Sequence, residues 1–268
     1  MPASDSTRFI GFPPPLLGER PARLPVLGAE PGRWLALDKP ADVLTDRHRW
    51  HPELPGVLPA LNEQAAAGKP ELEPYGIVQA RHIYVLEPEM TGVLLFALDE
   101  EPLQVLREAY GSGLMTFTFG MLVRYNGGKD ERTCRLPLAI HNTEPRALVT
   151  HTSGKKCETR FRLVERLGDY AWWEAQAVYM RPHQIRLHAA EVGLPIVGDP
   201  LYGGPPPVCL SALKPGYRTR GEERPLYAGL CLHLGGLDVQ LPEEKGFQLR
   251  AELPKGLAVL QRKLTQYR

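Results

Sequence analysis

The chain has 268 residues, with 32 lysines and arginines against 31 aspartates and glutamates, 43% hydrophobic and 24% charged residues, and a net charge of +1. Such a balance belongs to a globular protein able to bury a sizeable core, with one dominant domain as the simplest division, and excludes a disordered chain, a fibre and a uniformly basic tail. The longest apolar run, residues 93–98, falls far short of the roughly 20 residues that cross a bilayer, and the N-terminus lacks a basic-then-apolar leader, so a cytoplasmic protein with no membrane partner is expected.

Residues 1–30 are rich in proline and glycine, with three consecutive prolines at Pro13, Pro14 and Pro15, and read as an irregular arm preceding a domain over 31–268. From Arg33 the alternation Trp34, Leu35, Ala36, Leu37 predicts a strand ending at an Asp38-Lys39-Pro40 turn. Val57, Leu58, Leu61 and Ala65 stand at helical spacing and predict a helix over 56–67. Strands follow at 76–86 and 92–98, then a helix to Tyr110 whose acidic start, Asp99-Glu100-Glu101, suits the positive end of the helix dipole. A strand over 115–124, a turn over 126–133 and strands at 134–139, 147–151, 157–166 and 171–180 come in the quick succession of an antiparallel sheet. A helix over 183–192, a surface insertion over 203–229, short strands near 230–241 and 247–251 and a final helix over 257–267 complete an α+β reading: a mixed, mostly antiparallel sheet with flanking helices.

Cys134, Cys157, Cys209 and Cys231 form no Cys-x-x-Cys pair, so neither a disulfide framework nor a metal site is expected. Charge is uneven along the chain, since residues 115–190 hold 12 lysines and arginines against 7 acids. That excess makes this stretch the candidate face for an anionic partner.

The densest cluster of chemistry-bearing residues is Met180-Arg181-Pro182-His183-Gln184-Ile185-Arg186-Leu187-His188, followed by Pro195-Ile196-Val197-Gly198-Asp199-Pro200-Leu201-Tyr202-Gly203. It resembles the Gly-Arg-Thr-His-Gln-Ile-Arg-x-His and Pro-Ile-Val-Gly-Asp-x-x-Tyr-Gly segments of the RluA-type RNA pseudouridine synthases (RsuA/RluA-like). Leu230-Cys231-Leu232-His233-Leu234 and Ala251-Glu252-Leu253-Pro254 resemble that family's late strand and its ending, so the resemblance runs from about Arg33 to Leu264. Upstream, Tyr84-Val85-Leu86-Glu87-Pro88-Glu89-Met90-Thr91-Gly92 stands where the family has His-Arg-Leu-Asp-x-x-Thr-Ser-Gly, and Glu87 occupies the position of the nucleophilic aspartate.

The resemblance implies the pseudouridine synthase fold, no cofactor or metal, and a structured RNA partner, ribosomal or transfer RNA. It implies catalytic positions at Glu87, at Arg186 as the cation paired with residue 87, and at Phe119 as the stacking ring, with Lys39, Arg181, His183 and Gln184 on RNA. A carboxylate can form a covalent intermediate, an arginine holds it ionised, and flipped bases are read by stacking. Taken singly, Glu87 reads as a surface carboxylate, and Phe117 and Phe119, alternating with Thr116 and Thr118, read as one face of a core strand. Glu87 keeps the charge of aspartate but adds a methylene, and Val85, Met180 and Pro182 also depart from the family pattern. An RNA-binding protein with impaired or lost isomerisation is therefore the first expectation. An active synthase using Glu87 is the second, and a protein-interaction module on the same fold the third.

Overall fold

The computed structural model describes residues 8–125, 127–214, 216–217, 221–242 and 244–267. The chain forms two units, one of residues 1–115 with 236–251, the other of residues 116–235 with 252–268.

The first unit begins with two strands where an irregular arm was expected: β1 (Phe9–Phe12) pairs with β2 (Ala22–Glu30), Phe9 opposite Pro25. Local composition argues against order here, and long-range pairing supplies it. β2 has β3 (Trp34–Lys39) on its other side, and Ile10, Phe12 and Leu24 are buried. The triple proline falls in the connection between β1 and β2, where no ladder donor is needed. Helix α1 (Val57–Ala66) buries Val57, Leu58 and Leu61, as the spacing predicts, together with Ala60 and Gln64, while Ala65 is only partly buried.

The strand expected over 76–86 is reduced to β4 (Arg81–His82), since the following backbone turns to side-chain partners instead. β5 (Thr91–Ala97) pairs with β3 from Trp34–Ala97 to Lys39–Gly92, and all seven of its residues are buried. That is why it reads as a continuous apolar run rather than an alternation. Helix α2 (Glu100–Gly111) starts on Asp99, whose carboxylate accepts the Glu100 amide at 2.7 Å. It packs Leu103, Leu106 and Ala109 inward.

In the second unit, β6 (Met115–Arg124), β7 (Glu131–Cys134), β10 (Thr159–Leu167) and β11 (Tyr170–Ala177) form antiparallel pairs in the order β6-β11-β10-β7, while β8 (Leu138–Ile140) and β9 (Ala147–Val149) make a separate hairpin. Pairing to β10 draws Glu131–Cys134 into a strand although its charge and the preceding glycines read as a turn. Gly120 allows Trp172 to lie across β6, because a Cβ there would stand 2.5 Å from the indole.

Helix α3 (Gln184–Glu191) follows β11. In the 203–229 segment, expected as a surface insertion, Val208 is buried and its carbonyl accepts the Leu226 amide at 2.9 Å; residues 215 and 218–220 of it lie outside the described residues. β12 (Leu232–Val239) follows, and its second half pairs with β13 (Phe247–Arg250) in the first unit, where Phe247 stacks on Trp34. Helix α4 (Lys255–Gln266) buries Leu257, Leu260 and Leu264 at helical spacing. The ladders β1–β2, β2–β3, β3–β5, β4–β5 and β12–β13 of the first unit and β6–β11, β10–β11, β7–β10 and β8–β9 of the second are antiparallel, and Leu44 and Gly56 make an isolated parallel bridge.

Candidate active site

Glu87 lies in the first unit, half-buried, on the loop between β4 and β5. Side chains and neighbouring loops fix its two flanks. The Thr45 hydroxyl accepts the Leu86 amide at 3.0 Å and donates to the Leu86 carbonyl at 3.3 Å. The Pro88 carbonyl accepts the Asp42 amide at 2.9 Å, and the Met90 amide donates back to the Glu87 carbonyl at 3.1 Å. The Lys39 ammonium donates to the carbonyls of Pro40, Pro88 and Met90 at 2.9, 3.2 and 2.7 Å.

Lys39 was expected on RNA, and its placement differs: it is wholly enclosed, with its ammonium spent on the Glu87 loop and no face left for a phosphate. It ends β3, whose Leu35, Ala36 and Leu37 are buried as well. Burial lowers its pKa to about 7, opposed by the nearby carboxylates of Glu87, Glu89 and Asp42. Val85, where the family has arginine, is 43% exposed.

The His183–Arg186 motif lies in the second unit. His183 adopts a left-handed conformation, φ 60° and ψ 9°, and opens α3. Gln184, also expected on RNA, is buried and fully engaged. Its carbonyl oxygen accepts the Arg181 amide at 2.9 Å, and its amide nitrogen donates to the Glu158 carbonyl at 3.0 Å and the Thr159 hydroxyl at 3.1 Å. It ties the start of the helix to β10.

One turn later, His188 Nε2 lies 2.9 Å from the Leu136 carbonyl, which can only accept, so Nε2 carries the proton and Nδ1 accepts from the Thr159 hydroxyl at 2.9 Å. Burial lowers the His188 pKa, consistent with this neutral ring.

Arg186 is buried and makes a two-pronged ion pair with Asp199, Nε to Oδ2 at 2.8 Å and Nη2 to Oδ1 at 2.7 Å. Its guanidinium sits 5.5 Å from the Tyr202 ring centre, and the His183 ring meets Tyr202 edge-on at 5.8 Å. The Tyr202 hydroxyl accepts the Ala147 amide at 2.8 Å, so the β8–β9 hairpin is joined to the same cluster. Glycine is required in the turn that presents Asp199. Gly198 has φ +80°, and a Cβ on Gly204 would lie 1.9 Å from the Ile196 carbonyl oxygen.

Arg181 and His183 retain partial exposure. Arg181 stacks over Tyr179 at 4.7 Å and, with Lys155, lines a cavity of about 290 Å³ beside Ile140 and Pro182. Phe119, like Phe117, is wholly enclosed, opposite Ala175 on β11. It offers no open face, as the core-strand reading of β6 expects.

Sequence reasoning missed Asp199, Tyr202 and Thr159. Gly198-Asp199-Pro200 stands in the motif, but nothing local announces that the Asp199 carboxylate meets an arginine 13 positions earlier. Glu87 and Arg186, expected as a pair, belong to different units.

Among the described residues no group of three or more His, Cys, Asp or Glu side chains could hold a metal ion, and no helix is long and apolar enough to cross a membrane.

No protein-family model matches the chain. It is 35% identical over 113 residues to the ribosomal large subunit pseudouridine synthase D of Haemophilus ducreyi, covering 42% of this chain and 31% of that protein. It is 29% identical over 175 residues to an uncharacterized RNA pseudouridine synthase of Synechocystis, covering 64% of this chain and 52% of that one. The chain thus spans about a third to a half of the length of these relatives. Its fold is similar to that of human RNA pseudouridylate synthase domain-containing protein 4, with a TM-score of 0.68 at 18% identity over 89% of this chain and 92% of the other. The architecture is the pseudouridine synthase fold.

Proposed function

We propose that this chain, which belongs to the RluA-type family of RNA pseudouridine synthases, binds structured RNA and isomerises uridine weakly or not at all. The observation that carries this reading is the fixed loop around Glu87. A glutamate at the nucleophile position carries its carboxylate one methylene beyond that of aspartate, and a misplacement of about 1 Å can cost about 100-fold in a positioned reaction. Only a retreat of the backbone would compensate. The bonds from Thr45, Asp42 and Lys39 to residues 86, 88 and 90 oppose it.

Phe119 supports the same conclusion, because a flipped base stacks on an open aromatic face and this ring is enclosed. Arg181 and His183, with Lys155 beside Arg181, are the proposed RNA-binding side chains of the second unit. Any catalytic role of Arg186 is exercised from a guanidinium already oriented by Asp199. Ribosomal RNA is the first candidate substrate by likeness to the Haemophilus ducreyi protein.

The test combines binding and product. Purified protein is incubated with large-subunit ribosomal RNA over a salt series, and pseudouridine is mapped in the bound RNA. The expected result is binding that weakens as salt rises, with counterions released from each neutralised phosphate, and no pseudouridine above background. Salt-independent association, or none at low salt, would support an interaction module. Abundant pseudouridine would make the chain an active synthase.

A further inference from the structure

The segment Arg47-His48-Arg49-Trp50-His51 places two arginines and three aromatic rings in five residues, outside the motifs that carry the family resemblance. It forms the tip of a loop whose base is closed by short bonds. The Leu44 amide donates to Pro55, and the Val57 and Leu58 amides donate to Leu44 and Thr45, at 2.8, 2.9 and 2.9 Å. The tip is ordered from within. The Trp50 amide donates to His48 Nδ1 at 3.3 Å, the His51 amide to the His48 carbonyl at 3.2 Å, and the Leu54 amide to the His51 carbonyl at 3.2 Å.

The rings gather around His48, with Trp50 at 5.3 Å and His51 at 5.8 Å, while the Arg49 guanidinium lies 4.3 Å over the Trp50 ring. Arg47, His48 and Arg49 are exposed, in a part of the fold where a core explanation for them fails. A cavity of about 590 Å³ opens beside them, with Leu16 on one wall, Arg47, His48, Arg49 and His51 on another, and Glu63 as its acidic member. The loop's own acids face histidines, Asp46 towards His82 at 3.6 Å and Glu53 towards His51 at 3.8 Å.

We infer that this loop is a second RNA-binding surface, one that holds an unpaired stretch of the RNA by stacking its bases and neutralising its phosphates. The inference rests on the RNA-binding reading above and extends it to a part of the chain no motif marked. Sequence-tolerant binding of single strands combines cationic side chains for the backbone with flat side chains for the bases, and this tip alternates the two. An acidic peptide would engage the arginines but leave the rings unused, and a duplex keeps its bases stacked on one another. Partial desolvation, followed by the neighbouring His51 and Arg49, lowers the His48 pKa. The loop also leaves the fold at Thr45, the residue that fastens Leu86 beside Glu87.

The experiment uses the whole chain and a ten-nucleotide oligouridine, read by fluorescence anisotropy over a salt series. Arg47→Ala/Arg49→Ala/Trp50→Ala is expected to weaken binding about tenfold or more and to flatten the salt slope by about 0.7 for each phosphate no longer neutralised. Arg47→Lys/Arg49→Lys is expected to keep the slope. On the unaltered protein, ultraviolet crosslinks to oligouridine are expected within residues 47–51. Unchanged affinity and slope in the triple variant, or crosslinks confined to other segments while the protein still binds structured RNA, overturn this inference alone. Failure of the unaltered protein to bind any RNA overturns the RNA reading with it. Polyglutamate that displaces the oligonucleotide as well as unlabelled oligouridine does would reassign the loop to an acidic protein partner.

Discussion

Arg186 and Asp199 are joined by two parallel hydrogen bonds at 2.8 and 2.7 Å, both side chains shielded from solvent. The most recognisable arginine of the chain is therefore also a structural tie between α3 and the Gly-Asp-Pro turn. Breaking a buried pair leaves one charge uncompensated, at a cost of roughly 3–5 kcal/mol, whereas apolar replacement of both partners is often near neutral. Asp199→Ala and Arg186→Ala are expected to lower the urea midpoint sharply, and Arg186→Met/Asp199→Leu to recover much of the loss. Additive losses in the double variant would show that the pair is not coupled.

Lys39 gives the fold a pH dependence with a definite sign. Its pKa is lowered from 10.5 to about 7 by burial. Between these values the unfolded chain holds a proton that the native chain has released, so stability rises with pH across that window. Below about pH 7 the buried cation is retained and its desolvation opposes folding in full. Lys39→Met removes this contribution. Its urea midpoint, measured relative to the unaltered protein, is expected to fall as pH rises from 7 to 9.5, and a constant difference would contradict the assignment.

Arg132 holds the far end of α3. Its guanidinium donates to the carbonyls of Val192 and Gly193, which end the helix, and to Gly127, and it lies 5.4 Å from the Trp173 ring centre. A cation there satisfies terminal carbonyls and complements the helix dipole. Arg132→Ala is expected to cost about 2 kcal/mol, as several charge-assisted bonds disappear. Hydrogen exchange should quicken most at residues 189–194. Uniform acceleration over the whole unit would argue for global destabilisation instead.

The helices were legible because their signals are local. Apolar residues at helical spacing marked α1, and Asp99 ahead of two glutamates marked the start of α2. β5 was legible through its unbroken apolar run. β1 and β2 were not, since proline-rich composition describes the chain before pairing, and their order comes from β3 across the ladder. At the candidate site the resemblance located Glu87 and Arg186, but not which polar groups face inward. Lys39 and Gln184 carry residue types that suit RNA, yet their side chains are consumed by carbonyls and by Thr159. Such engagement depends on partners distant in sequence, as with Asp199 for Arg186.

The proposed mispositioning of the carboxylate at position 87 makes one sharp demand on the chemistry. Pseudouridine formed per RNA bound is to be compared among the unaltered protein, Glu87→Asp and Val85→Arg/Glu87→Asp. The expected outcome is none from the unaltered protein, at most a trace from the single substitution and more from the double, with RNA affinity the same in all three. Robust product from the unaltered protein, abolished by Glu87→Ala, would contradict the impaired-site reading and establish glutamate as a competent nucleophile on this scaffold.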